Sequence, residues 1–228
     1  MPQLPTPSQS STWSLVRLTM GLLTASVVAS GLLVGRLLST GTPTFGFLGW
    51  NLVLAWIPLL LALAITGLHR ARSSGVGLVL AGLVWLAFLP NAPYIVTDVV
   101  HLHARSPVFD IALVSVFALV GLAVGLASLL LVQHVVTDHL GALAGWTMSA
   151  AALVLSTVGI WLGRVHRFNS WDITAQAGAL LDLAWHRFQH PLGNPDLIVA
   201  VVLGSAGLGL AYGLTWWLVA SWIPADAC

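Results

Sequence analysis

LPNAPYIVTDVVHLH, residues 89–103, interrupts a chain that is otherwise strongly apolar. Two prolines in this stretch, Pro90 and Pro93, bracket Asn91 and Ala92. Proline lacks a backbone N–H donor and disfavours helical backbone in the residue before it. The apolar helix that leads into the stretch is therefore expected to break here, with Asn91 as the cap of a new helix.

The new helix is predicted to be short and amphipathic. At about 100° per residue, five polar or charged side chains fall within an arc of about 100°. They are Tyr94, Thr97, Asp98, His101 and Arg105. The opposite side is apolar and consists of Ile95, Val96, Val99, Val100 and Leu102. An acid, an imidazole, a phenol and a guanidinium are thus expected on one line.

The composition is that of a protein that crosses a membrane several times. Of the 228 residues, 58% are hydrophobic and 7% are charged, and the sequence has no Lys and no Glu. The apolar runs repeat at about 20 residues, the helix length that spans a hydrocarbon core of about 30 Å. Barrel strands would instead alternate in polarity over about ten residues. The fold class is therefore predicted to be all-α, a polytopic membrane helix bundle.

About six transmembrane helices are predicted, at approximately 17–38, 45–68, 75–89, 107–133, 141–162 and 197–223. The third run would extend only about 22 Å, so part of the following segment is expected at membrane depth, as a broken or re-entrant helix. Residues 1–12 are rich in Pro, Ser, Thr and Gln and are predicted to be a disordered lead. Residues 13–228 are then a single membrane domain.

A second polar motif, GRVHRFNSWD at residues 163–172, follows the fifth span. Behind it, residues 171–189 carry apolar side chains on one face and polar ones on the other, which is typical of a helix lying in the membrane interface. In the fourth span, Gly121 and Gly125 have the spacing of residues that permit close helix packing.

Six spans place the first, third and fifth loops at one end of the bundle, which we call the motif face. This end gathers most of the polar groups near one membrane surface. Ionisable groups at membrane depth are functional-site hypotheses because their burial is costly. The residues predicted to bind a ligand are Asn51, Asn91, Tyr94, Asp98, His101, Arg164, Arg167, Asn169, Trp171 and Asp172.

Three motifs carry a family resemblance: WNLVLAWIP at 50–58, LPNAPYIVTDVVHL at 89–102 and GRVHRFNSWD at 163–172. In this order and spacing they resemble the bacterial membrane proteins grouped as domain of unknown function 1361. The resemblance covers about residues 45–172 and implies a multi-span membrane protein, but it implies no activity. His166 and Phe168 depart from the family pattern, in which an apolar residue and a tryptophan are expected.

Three interpretations of the polar group stay open. In the first, Asp98 and Asp172 only pair with the arginines of the second motif, since buried charges must be paired. In the second, the group binds a small polar or lipid-headgroup ligand, with Arg164 and Arg167 as anion donors. In the third, Asp98, His101 and Asp172 are catalytic, as acid and base or as metal ligands, in an enzyme that acts on a lipid-borne substrate.

The sequence does not decide whether the protein is an enzyme. HExxH, GxSxG and Gly-rich phosphate motifs are absent, and the single cysteine is Cys228. No cofactor and no metal site are therefore predicted. The expected partners are the lipid bilayer and a small polar or lipid ligand. No basic cluster indicates nucleic acid, and a role as scaffold for another membrane protein is a further alternative.

Arginine positions predict the orientation. Arg17, Arg70 and Arg72 flank the face of both termini, whereas Arg36 and Arg187 are left at the motif face once the arginines of the polar motifs are set aside. The positive-inside rule then predicts cytoplasmic termini and a motif face on the outer side of the cell membrane.

Overall fold

The structure, a computed structural model, describes residues 9–102, 107–167 and 193–222, with residues 175, 178, 182, 185, 186 and 189 between them. Regular structure in these ranges is helical throughout. Six of the described helices are long and apolar enough to cross a membrane. The chain is thus a polytopic membrane helix bundle, as the composition predicts.

The helices are α1 (Gln9–Thr40), α2 (Phe47–Arg70), α3 (Gly75–Phe88), α4 (Asn91–Tyr94), a 3-10 helix (Ile95–His101), α5 (Val108–Leu140), α6 (Ala142–Trp161), a π-helical turn (Leu162–His166) and α7 (Pro195–Trp222). Helix α1 already includes residues 9–12, which the sequence had placed in a disordered lead; residues 1–8 lie outside the described residues. The predicted interfacial helix at 171–189 also lies outside them, apart from six single positions that are helical.

Helix α3 ends where the prolines predict an end. Pro90 has no N–H to donate, and α3 stops at Phe88. Leu89 and Pro90 nevertheless keep right-handed helical dihedral angles. Helix α4 and the 3-10 helix therefore continue the third span, which runs from Gly75 to His101. The predicted broken helix is confirmed. At the break the backbone hydrogen-bonding pattern changes but the helical path continues, so the short apolar run of α3 is extended to a length that can span the membrane.

Helix α5 is the centre of the bundle. It packs against α1, α2, α6 and the segment formed by α4 and the 3-10 helix. One apolar cluster joins α5 to α1, α2 and that segment, and a second joins it to α2, α3, α6 and α7. The polar segment is therefore held directly against the most buried helix.

Two glycines of α5 bring the broken segment into close contact with it. A Cβ atom at Gly121 would lie 2.8 Å from Cδ1 of Ile95, and one at Gly125 would lie 2.7 Å from Cβ of Ala92. Carbon atoms in van der Waals contact are about 3.5–4.0 Å apart, so a larger residue at either position would force the broken segment or the side chain of Ile95 to shift. The predicted role of Gly121 and Gly125 in close packing is confirmed. The element that packs against them is the broken segment.

Candidate functional site

The three motifs meet around Asp98 at the motif face. Asp98 lies in the 3-10 helix and is only 1% exposed. Its Oδ2 accepts a hydrogen bond from Nδ2 of Asn51, in the second turn of α2, at 2.8 Å. Its Oδ1 lies 2.9 Å from Nη2 of Arg164, in the π-helical turn after α6. One buried carboxylate therefore joins three segments of the chain, and the predicted pairing of Asp98 with an arginine of the second motif is observed.

Arg164 uses only part of its hydrogen-bonding capacity. Its Nη2 donates to Asp98 and to Oγ1 of Thr97. The guanidinium carbon lies 4.7 Å from the centre of the Tyr94 ring, within the range of a cation–π contact. Nε is buried and has no hydrogen-bond partner among the described residues, and Nη1 bonds to none of them either. The side chain as a whole is 28% exposed, although Nε itself is buried, so Nη1 is the unused donor that borders the opening to solvent.

A second ion pair at the same face provides an internal comparison. Arg36, in the last turns of α1, bonds Asp110 at the start of α5 twice, with Nε 2.7 Å from Oδ1 and Nη2 3.3 Å from Oδ2. Its Nη1 donates to the hydroxyl groups of Thr40 and Thr42. Every nitrogen of this guanidinium has an acceptor, so the pair is saturated and ties α1 to α5.

Residues three apart are aligned in the 3-10 helix, because it has three residues per turn. Two separate rows result: Tyr94, Thr97 and Val100 in one, and Ile95, Asp98 and His101 in the other. The segment is therefore a 3-10 helix and not the predicted α-helix, but the predicted polar side chains do come together: Tyr94, Thr97 and Asp98 all contact Arg164, and His101 lies 3.9 Å from Asp98. Arg105 lies outside the described residues. Asp98 contacts both Asn51 of α2 and Arg164, whereas Tyr94 and Thr97 contact Arg164.

His101 lies at the edge of the Asp98 group. Its Nδ1 is 3.1 Å from the backbone oxygen of Asp98 and 3.9 Å from the carboxylate Oδ1. Its ring packs on Phe47, with 4.7 Å between the ring centres. The shorter contact is to the backbone, so His101 caps its own helical turn more closely than it approaches the carboxylate.

The other predicted ligand-binding residues are less central. Asn91 is partly buried at the start of α4. Arg167 is exposed, ends the π-helical turn with φ +58, and makes no hydrogen bond or ion pair with a described residue. The predicted residues Asn169, Trp171 and Asp172 lie outside the described residues, and their contributions stay predictions.

The opposite end of the bundle holds a group of histidines that links α2 to α5. Nδ1 of His69 lies 2.9 Å from Nε2 of His139, and Nε2 of His69 lies 3.3 Å from Oδ2 of Asp138. Nε2 of His134 lies 3.6 Å from the same oxygen. Within the described ranges, no group of three or more His, Cys, Asp or Glu side chains has the geometry to hold a metal ion.

The sequence missed the pairing of Arg36 with Asp110 and the contribution of Thr97. A usable signal existed for the ion pair, because the end of the first span and the start of the fourth lie at the same face, and buried charges require partners. Thr97 stood in the predicted polar arc but was not among the predicted ligand-binding residues; its Oγ1 accepts a hydrogen bond from Nη2 of Arg164.

Comparison with protein families gives a match. The profile of a family described as protein of unknown function (DUF1361) matches residues 50–207. This range includes Asn51, Asp98 and Arg164, whereas Arg36 lies outside it. Comparison with curated proteins and with solved structures found no significant match.

Proposed function

The chain belongs to the DUF1361 family of proteins of unknown function, and we propose that this multi-pass membrane protein binds a small polar or lipid-headgroup ligand at Arg164. The observation that supports the proposal is a difference between two arginines at the motif face in how many of their guanidinium nitrogens have a hydrogen-bond acceptor. Every nitrogen of Arg36 has an acceptor, whereas among the described residues Arg164 has acceptors for Nη2 alone. A buried donor without a partner costs about 1–3 kcal/mol, so an acceptor from outside the described chain is expected there.

The surrounding residues have distinct roles in this proposal. Asn51 orients the carboxylate of Asp98, and that carboxylate fixes Nη2 of Arg164. Tyr94 supports one face of the guanidinium. Nη1 is then free to donate to the ligand, while Asn91, His101 and Arg167 are expected to border the site.

The enzyme alternative has less support from the geometry. A general base must reach the proton that it abstracts, but both carboxylate oxygens of Asp98 are engaged and the residue is buried. His101 is more accessible, yet its nearer contact is to a backbone oxygen. The scaffold alternative predicts no ligand at all, so a ligand-retention experiment separates it from our proposal.

Exchange of Arg164 for lysine tests the proposal. Lysine keeps a positive charge for Asp98 but lacks the planar set of five N–H donors. We expect Arg164→Lys to remain folded and to lose a small molecule or lipid that copurifies with the unmodified protein in mild detergent, as measured by native mass spectrometry.

The matched control is Arg36→Lys. It removes the bidentate contact with Asp110 and is expected to lower thermal stability while the bound species is retained. Identical bound species, or none, on the unmodified protein and on Arg164→Lys would contradict the proposal.

We also propose that the protein lies in the cell membrane with cytoplasmic termini and with the motif face outside. In a Cys228→Ser background, a membrane-impermeant maleimide is expected to label Thr44→Cys in intact cells and to leave Ala71→Cys unlabelled. Both positions are exposed, and they lie at opposite ends of α2. If Ala71→Cys alone is labelled, the protein has the opposite orientation, with the termini outside.

A further inference from the structure

We propose that the ligand at Arg164 is a phosphate group carried by a lipid. The inference rests on the proposed function, because it names the chemical class of the ligand that binds at the same site. It follows from three properties of the site: the unused donors of Arg164, the local charge, and the apolar surface beside the opening.

The unused groups are donors only. Nε and Nη1 of Arg164 carry N–H groups and no acceptor, so the ligand must present oxygen or nitrogen lone pairs. Charged guanidinium donors form strong hydrogen bonds with phosphate and carboxylate oxygens. Both N–H groups of Nη2 have acceptors, in Asp98 and Thr97, and Nε is buried, so a second oxyanion binds through Nη1.

The local charge favours an anion over a neutral acceptor. Asp98 balances Arg164, but Arg167 lies three residues further on and forms no ion pair with a described residue. Asp110 is committed to Arg36. Asp196, exposed in the first turn of α7, forms no ion pair with either arginine of the second motif. The described groups around Arg164 therefore carry one excess positive charge.

The surface beside the opening is apolar. Val100 stands in the same row as Tyr94 and Thr97 and is 65% exposed, and Val165 follows Arg164 directly and is 57% exposed. A hydrophilic solute gains nothing from exposed valines, whereas an acyl chain does, because apolar contact removes surface from water. At the end of a membrane-spanning helix, a lipid phosphate stands at the level of Arg164 while its chains lie along the valines. This argues for a phospholipid rather than free phosphate.

Three probes separate the headgroup from the chain. The full-length protein in detergent is titrated with dioctanoyl phosphatidate, with dioctanoylglycerol and with inorganic phosphate, and the midpoint of thermal unfolding is recorded. A ligand that binds only the folded protein raises the midpoint, and the rise grows with the logarithm of the ligand concentration above Kd. We expect phosphatidate to raise it, dioctanoylglycerol to leave it unchanged, and inorganic phosphate to act only at much higher concentration.

Variants locate the effect. Arg164→Lys is expected to weaken the response to phosphatidate about tenfold or more, because hydrogen bonds from a charged donor are lost. Arg36→Lys is expected to start from a lower midpoint and to keep the same dependence on phosphatidate. Equal responses of the unmodified protein and Arg164→Lys would overturn the inference, and so would equal potency of inorganic phosphate and phosphatidate, which would identify a free anion as the ligand.

The same data distinguish failure of the inference from failure of the proposed function. If no phosphate compound raises the midpoint while Arg164→Lys still loses a copurifying species, a ligand binds at Arg164 and its chemistry is not that of a phosphate. If no phosphate compound acts and no species is lost, both proposals fail together.

Discussion

Exchange of Asp98 for asparagine is expected to lower the free energy of unfolding by about 3–5 kcal/mol, because it strands a partly buried arginine. The carboxylate accepts from Asn51 with one oxygen and from Arg164 with the other. An asparagine has one carbonyl oxygen, so one of these donors would face an NH₂ group. Denaturant titration of the purified protein in micelles measures the loss.

Asp138→Asn is the matched control at the opposite end of the bundle. Asp138 is 42% exposed and contacts His69 and His134 at 3.3 and 3.6 Å. Exposed ion pairs contribute about 0–1 kcal/mol, so this variant should remain close to the unmodified protein. Unchanged stability of Asp98→Asn would show that Arg164 does not depend on the carboxylate.

A double-variant cycle isolates the contact itself. Asp98→Asn combined with Arg164→Gln removes both charges, so the double variant should lose less stability than the sum of the two single variants. A strictly additive result would mean that the two side chains are not coupled, in contradiction to the 2.9 Å contact between them.

Gly159→Val is expected to destabilise the protein by about 1–3 kcal/mol, the usual cost of overpacking. A Cβ at Gly159 would lie 2.6 Å from Cγ and 2.9 Å from Cβ of Pro90. The proline ring is rigid and cannot rotate away, so the broken segment must shift. Because that segment carries Asp98, the shift should also weaken phosphatidate binding in the titration described above.

The matched control for this exchange is Gly82→Val in α3. A Cβ at Gly82 has no heavy atom of the described chain within 4 Å, so the larger side chain meets open space. The control tests the same loss of a helical glycine without a steric clash. If the two variants unfold at the same midpoint, the contact between α6 and Pro90 does not hold the segment in place.

The helical architecture was predictable because the bilayer allows few alternatives. Backbone groups in hydrocarbon must be hydrogen bonded within the segment, so run length alone indicates helices. The end of α3 was equally predictable, because the missing N–H of Pro90 is a local property. The beginning of α1 was not, since residues 9–12 have no apolar pattern and are nevertheless part of the helix.

The 3-10 geometry of Ile95–His101 could not be predicted from the local sequence. Polar spacing fits an α-helix as well, and the two helix types differ mainly in the number of residues per turn. The packing of Ile95 against Gly121 is a tertiary contact, absent from any local pattern. This contact accompanies the geometry in which Asp98 contacts both Asn51 and Arg164, and Tyr94 and Thr97 contact Arg164.

The sequence by itself determined the class of protein, the number of spans and the end of the bundle at which the polar motifs lie, because these depend on run length and on alternate crossing of the membrane. The tertiary structure decided which charges pair: Asp98 with Arg164, and Asp110 with Arg36. Such pairs join residues more than sixty positions apart. They depend on the rotation of each helix about its axis, and packing against α5 sets that rotation. Because of it, every guanidinium nitrogen of Arg36 has an acceptor while Arg164 keeps unused donors.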